Sequence, residues 1–73
     1  MVETSPMMNI LLNGQPYSIH TGSSVANLLH LLEVNGKRIA VELNGDIVSR
    51  VRFAEVTLSP MDRVEIVHAI GGG

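Results

Sequence analysis

Few residues in this 73-residue chain are of types that do chemistry. Its three histidines, His20, His30 and His68, lie far apart, and none has a second ligand at metal spacing. They are expected to be solvated or partly packed side chains. Asp62 and Glu65 are the nearest approach to a carboxylate pair. Three residues apart on a turn and a strand, they point to different faces, which excludes shared acid–base work and leaves them as surface charges. Ser23 and Ser24 have no nearby base, and helix capping accounts for them. Lys37-Arg38 and the pair Arg50 and Arg52 read as solvated loops, or more sharply as contacts for a partner. Met7, Met8 and Met61 need only packing. Cysteine is absent, so the chain has no disulfide, no thiolate nucleophile and no persulfide of its own.

What remains is the C-terminus, Gly71-Gly72-Gly73. Three glycines are costly to order and cannot form core. They follow directly on a strongly patterned apolar strand, so the fold launches them from its rigid centre. A glycine end threads a narrow enzyme channel, because it has no side chain to clash and accepts any backbone angle. With the chain expected to end at Gly73, its carboxylate is unhindered. Adenylation by ATP turns a carboxylate into a mixed anhydride with AMP as leaving group. A sulfur nucleophile then displaces AMP and leaves a thiocarboxylate. The domain is the handle in this chemistry, and a partner enzyme supplies ATP, Mg²⁺ and electrostatic stabilisation.

Composition sets the bounds. A chain of 7.9 kDa is a single domain with one small core. Hydrophobic residues at 45% exclude a disordered tail, and a net charge of −2 with two aromatic residues argues against nucleic-acid binding. No apolar run reaches bilayer length and no signal-peptide pattern opens the chain, so the expected compartment is the cytoplasm.

The elements that present the tail follow from the periodicities. Residues 1–7 read as a disordered polar leader, in which Met7, like Met8 after it, offers an alternative start. Residues 8–70 form the domain, and 71–73 the flexible tail. Met8 to Leu12 predicts a strand, Asn13-Gly14 a two-residue hairpin turn, and Gln15 to His20 the return strand. Pro16 places that return strand on a sheet edge. Ser24 is an N-cap without a capping box, since Asn27 stands where Glu or Gln would. Val25, Leu28, Leu29 and Leu32 make one apolar face of a helix running to about Val34, with Gly36 suited to the left-handed closing position. Ile39 to Leu43 alternates, Asn44-Gly45 is a second hairpin signal, and Asp46-Ile47-Val48 returns. Ser49 to Glu55 carries no clear pattern. Val56 to Leu58 predicts a short strand, Ser59 to Asp62 a turn, and Arg63 to Ile70 the last strand. The first and last strands are the most apolar and should be central and adjacent. One helix must cover one face of a mixed sheet of four to five strands, which is an α+β, β-grasp arrangement. Leu11 and Val67 then point away from the helix on the open sheet face; with Ile70 at the root of the tail, they are the candidate docking residues.

Met8-Asn9-Ile10-Leu11-Leu12-Asn13-Gly14 resembles the opening of the ThiS family, sulfur carriers of thiamine biosynthesis with the ubiquitin-like β-grasp fold. So do residues 40–48, Ala40 to Val48, and residues 62–73, Asp62 to Gly73. The resemblance covers nearly everything after the leader. It implies that Gly73 is adenylated by an E1-like enzyme, ThiF, and converted to a thiocarboxylate, a C-terminal 1-thioglycine. Gly72 completes the diglycine and Gly71 adds reach. The sulfur comes ultimately from a cysteine desulfurase persulfide, and thiazole synthase, ThiG, takes it into the thiazole ring. The chain itself would bind no cofactor, would be a co-substrate rather than an enzyme, and would be a monomer when free. The missing cysteine fits, because a carrier without a thiol must hold sulfur on its terminal carboxylate. Three alternatives stay open: a molybdopterin synthase small subunit, a ubiquitin-like modifier that forms isopeptide bonds, and a binding module with an inert tail. Molybdopterin synthase small subunits are usually longer, with aromatic residues near the tail where this chain has Val67-His68-Ala69-Ile70.

Overall fold

The computed structural model describes residues 6–34 and 38–68. Among these residues five strands and one helix follow in the order β1 (Met7–Leu12), β2 (Gln15–His20), α1 (Val25–Leu31), β3 (Ile39–Leu43), β4 (Asp46–Val48) and β5 (Arg63–His68). A single 3-10 turn, Arg50–Arg52, stands between β4 and β5. The strands form one mixed sheet in the order β2-β1-β5-β3-β4. β5 lies at its centre, parallel to β1 and antiparallel to β3. β2, with Pro16, is an edge strand as the sequence predicts.

Both Asn-Gly dipeptides make hairpin turns with positive φ at each central residue, 50° and 83° at Asn13-Gly14 and 53° and 91° at Asn44-Gly45. This is the type I′ geometry whose twist matches the flanking strands. β1 opens at Met7, paired with His20, one residue earlier than the periodicity suggests. Met8 is buried core.

The core lies between α1 and one sheet face. Met8 and Ile10 of β1, Ile19 of β2, Val41 of β3 and Val64 of β5 meet Val25, Leu28 and Leu29 of the helix, and Leu58 closes one side. Strand alternation and the helical i, i+3, i+4 spacing supply these residues.

The helix starts and ends differently from the expectation. Ser24 Oγ accepts from the Asn27 N–H at 3.1 Å, and Asn27 Oδ1 accepts from the Ser24 N–H at 2.8 Å. A capping box is therefore present: the shorter amide reaches back as Gln would. The two preceding donors are taken by a neighbouring segment. Val25 N–H donates to the Val56 carbonyl at 2.9 Å and Ala26 N–H to the Phe53 carbonyl at 2.8 Å. All first-turn donors are thus satisfied. Val56 to Leu58 is not the expected strand but a single antiparallel bridge, Thr57 with Ser24, made by Val25 N–H to the Val56 carbonyl and Leu58 N–H to the Ser23 carbonyl at 2.8 Å.

At the other end the helix closes at Leu31, short of Val34. Glu33 N–H donates to the His30 carbonyl at 3.0 Å and Val34 N–H to the Leu29 carbonyl at 3.1 Å, the Schellman pair. Glu33, at φ 60°, holds the left-handed position. Gly36, expected there, lies outside the described residues.

Candidate functional site

The central strand β5 leads directly to the C-terminal glycines. Gly71, Gly72, Gly73 and Ile70 lie outside the described residues. What the structure provides is the platform that precedes them, and three turns hold it. Ser59-Pro60-Met61-Asp62 is a tight turn closed by the Asp62 N–H to the Ser59 carbonyl at 3.1 Å, with Met61 at φ 67°. It is stitched to β1 by Met61 N–H to the Asn9 carbonyl at 2.7 Å and by Leu11 N–H to the Asp62 carbonyl at 2.9 Å. Asp62 is more than a surface charge. Its carboxylate accepts from the Ser59 N–H at 2.7 Å and from Asn44 Nδ2 at 3.0 Å. Asn44 Oδ1 in turn accepts from the Arg63 N–H at 2.9 Å. From the opposite side Asn13 Oδ1 accepts from the Ile66 N–H at 2.8 Å. Both hairpin tips therefore reach β5. Sequence reasoning took Asn13 and Asn44 only as turn formers. Their left-handed backbone was legible, but the partner of a side chain 53 residues distant was not.

The open face of the sheet carries the docking candidates. Leu11 is half-buried there, and Val67 is 57% exposed. They share the face but do not adjoin. Leu11 pairs with Arg63, four residues before Val67, which separates them by about 13 Å along the strand. Leu11 stands opposite Pro16, and Val67 opposite Ala40. Between these apolar spots Glu42 and Glu65 face each other across β3 and β5. With Gly45 and Arg63 they line a shallow depression of about 160 Å³, room for one side chain rather than a substrate. Ile47, 68% exposed, stands opposite Glu42 on β4.

The other candidates resolve into structural parts. His20, His30 and His68 are exposed on separate elements, and no group of three or more metal-ligating side chains occurs among the described residues. Arg52 pairs loosely with Glu55 at 3.7 Å, and both are exposed. Among the described residues no helix is long and apolar enough to cross a membrane.

A mixed five-stranded sheet covered on one face by one helix defines a ubiquitin-like β-grasp domain. The ThiS family model matches residues 10–73. The crystal structure of the thiamine biosynthesis protein ThiS from Geobacter metallireducens superposes with a TM-score of 0.79 at 35% identity, covering 90% of this chain and all of that one. The sulfur carrier protein ThiS of Bacillus subtilis is 38% identical over 50 residues, 68% of this chain and 76% of that protein. A thiazole synthase of Magnetococcus marinus is 41% identical over 66 residues, 90% of this chain; the chain spans only 20% of that relative's length. The chain belongs to the ThiS family, the sulfur carriers of thiamine biosynthesis.

Proposed function

We propose that this chain carries sulfur as a thiocarboxylate on Gly73 and delivers it for thiazole formation. The Gly73 carboxylate attacks the α-phosphorus of ATP on a ThiF-type enzyme, releasing pyrophosphate and leaving an acyl-adenylate. The terminal sulfur of a persulfide, supplied through a cysteine desulfurase, attacks the acyl carbon and expels AMP. A thiol then cleaves the resulting acyl disulfide, forming a disulfide itself and leaving the thiocarboxylate. In this reading Mg²⁺ and ATP are held by the activating enzyme. The carrier acts as co-substrate in the cytoplasm, with Gly71 and Gly72 threading the channel.

The family match that extends through the glycine end to Gly73 carries this reading. The missing cysteine supports it, since no thiol on this chain competes for sulfur. The acceptor is inferred from the relatives. The same unit recurs inside polypeptides about five times as long that bear the name thiazole synthase, in Magnetococcus marinus and Paramagnetospirillum magneticum. Fusion raises the effective concentration of two partners that must meet. For a separate carrier the open-face spots around Leu11 and Val67 are the surface assigned to such a meeting in this reading.

The test is reconstitution of thiazole formation with thiazole synthase, an activating enzyme and a persulfide donor. The full chain should support turnover, and a chain lacking Gly72 and Gly73 should not, while keeping its melting temperature. Equal activity of the truncated chain would overturn the reading.

A further inference from the structure

β5 runs past the end of β1. Their register pairs Leu11 with Arg63 and Leu12 with Val64, after which β1 turns away into the Asn13-Gly14 hairpin. On its other side β5 stays paired with β3 through His68, opposite Ile39. The outgoing half of β5, from Ile66 on, has therefore lost its β1 neighbour just where the chain heads for the glycine end.

Asn13 extends the lost ladder by one step. In a parallel ladder a residue donates its N–H to the residue before its partner and accepts at its carbonyl from the residue after it. Asn13 N–H donates to the Val64 carbonyl at 2.8 Å. The Ile66 N–H is accepted at 2.8 Å by Asn13 Oδ1. Asn13 thus stands as the ladder partner of Glu65, two residues on from the Leu11–Arg63 pair, with its amide oxygen in the place of a backbone carbonyl. The substitution is forced by the turn. At φ 50° Asn13 has left the extended conformation, so its own carbonyl no longer points along the ladder. A side-chain oxygen one bond longer than serine's replaces it, and asparagine tolerates the left-handed backbone.

We propose that Asn13 is a positioning residue for charging of the carrier: its side-chain carbonyl fixes the outgoing half of β5 and so the direction in which the glycine end leaves the sheet. The functional half of this inference rests on the sulfur-carrier reading above. A fixed launch direction lowers the ordering that the partner enzyme must impose when it takes up the tail. Its loss should appear in KM rather than kcat, since the reacting atoms of the bound tail are unchanged.

The test compares Asn13→Gly with Asn13→Asp. Glycine keeps the positive-φ turn and removes the acceptor, whereas aspartate keeps both. Amide hydrogen exchange of Ile66, measured on the full chain, should quicken about three- to tenfold in Asn13→Gly, the range of one solvent-accessible hydrogen bond, and return toward the wild-type rate in Asn13→Asp. KM for the carrier in the activating reaction should rise by a similar factor in Asn13→Gly with kcat within about twofold, and Asn13→Asp should restore it. Asn44→Gly serves as the matched control. It removes the opposite hairpin's hold on Arg63 at the start of β5, so it should lower the melting temperature without raising KM. Unchanged Ile66 exchange in Asn13→Gly, or no rescue by aspartate, overturns the anchor. Faster exchange with an unchanged KM, or an equal KM rise in Asn44→Gly, overturns the positioning role. If the wild-type chain is not charged at all, the sulfur-carrier reading fails, while the exchange experiment still decides the anchor.

Discussion

Val64 and Val67 are the same side chain on the same strand, three residues apart, and they do opposite things. Val64 is 1% exposed against the helix, and Val67 is 57% exposed on the other face of the sheet. Ile10 at 0% and Ile47 at 68% repeat the contrast on β1 and β4. Apolar residues of the covered face hold a domain whose single small core can supply only about 3–5 kcal/mol of net stability. Apolar residues of the open face contribute little to folding, because their surface stays in water. They are available to a partner. Strand apolarity in this chain therefore serves two ends, and the pairing register decides which residue serves which.

One substitution made on both sides tests this division most severely. Val64→Asp places a carboxylate among apolar side chains at a cost of several kcal/mol, which exceeds the stability available, so circular dichroism should show an unfolded chain. Val67→Asp should melt within about 1 kcal/mol of wild type, the span of strand propensity, and weaken binding to the activating enzyme or thiazole synthase about tenfold. A folded Val64→Asp would erase the division from one side, and unchanged affinity of Val67→Asp from the other.

The next largest effect concerns the covered face alone. Ile10→Ala leaves a cavity beneath the helix and should cost about 2–5 kcal/mol in denaturant unfolding. Ile47→Ala should cost under about 0.5 kcal/mol, as expected of an exposed substitution. Ser24→Ala removes half of the capping box and should cost about 1 kcal/mol, lowering the melting temperature by about 4–8 °C in a domain of this size. Opposite in sign is Glu33→Gly. Glu33 sits at φ 60°, where a side chain is disfavoured, so glycine should stabilise by about 0.5–1 kcal/mol.

How far the sequence announced all this depends on the range of the interactions involved. The two Asn-Gly turns, the edge position of β2 and the apolar helix face are local patterns, and they were legible. The adjacency of β1 and β5 followed from their apolarity. The capping box escaped because the rule names Glu and Gln, while Asn27 reaches Ser24 equally well. Val56 to Leu58 looked like a strand because its residues favour extended backbone, yet it finds only the short segment before the helix to pair with, in one bridge between Thr57 and Ser24. Glu33 took the left-handed position ahead of Gly36 because the Schellman bonds form one turn earlier. Asp62, Asn44 and Asn13 were read as turn or surface residues. Their second partners lie 18, 19 and 53 residues away, and no local pattern encodes them. At the site the balance is reversed. Gly71 to Gly73 and Ile70 were singled out by the sequence alone, and they lie outside the described residues. The sequence put Leu11 and Val67 on the open face, but their separation along it needed the register.

Gly73 is where sulfur would be held, and the absence of cysteine makes that directly measurable. The most direct measurement is an intact and fragment mass spectrum of the protein incubated with ATP, a ThiF-type enzyme and a persulfide donor, then alkylated with iodoacetamide. Replacing oxygen by sulfur adds nearly the same nominal mass as oxidising one of the four methionines, so mass alone is ambiguous. Alkylation separates the two, because a chain without cysteine offers no competing thiol. The account predicts a single adduct that maps to Gly73 and disappears when ATP is omitted. An unmodified Gly73 carboxylate, with enzyme and donor shown active on another carrier, would contradict it.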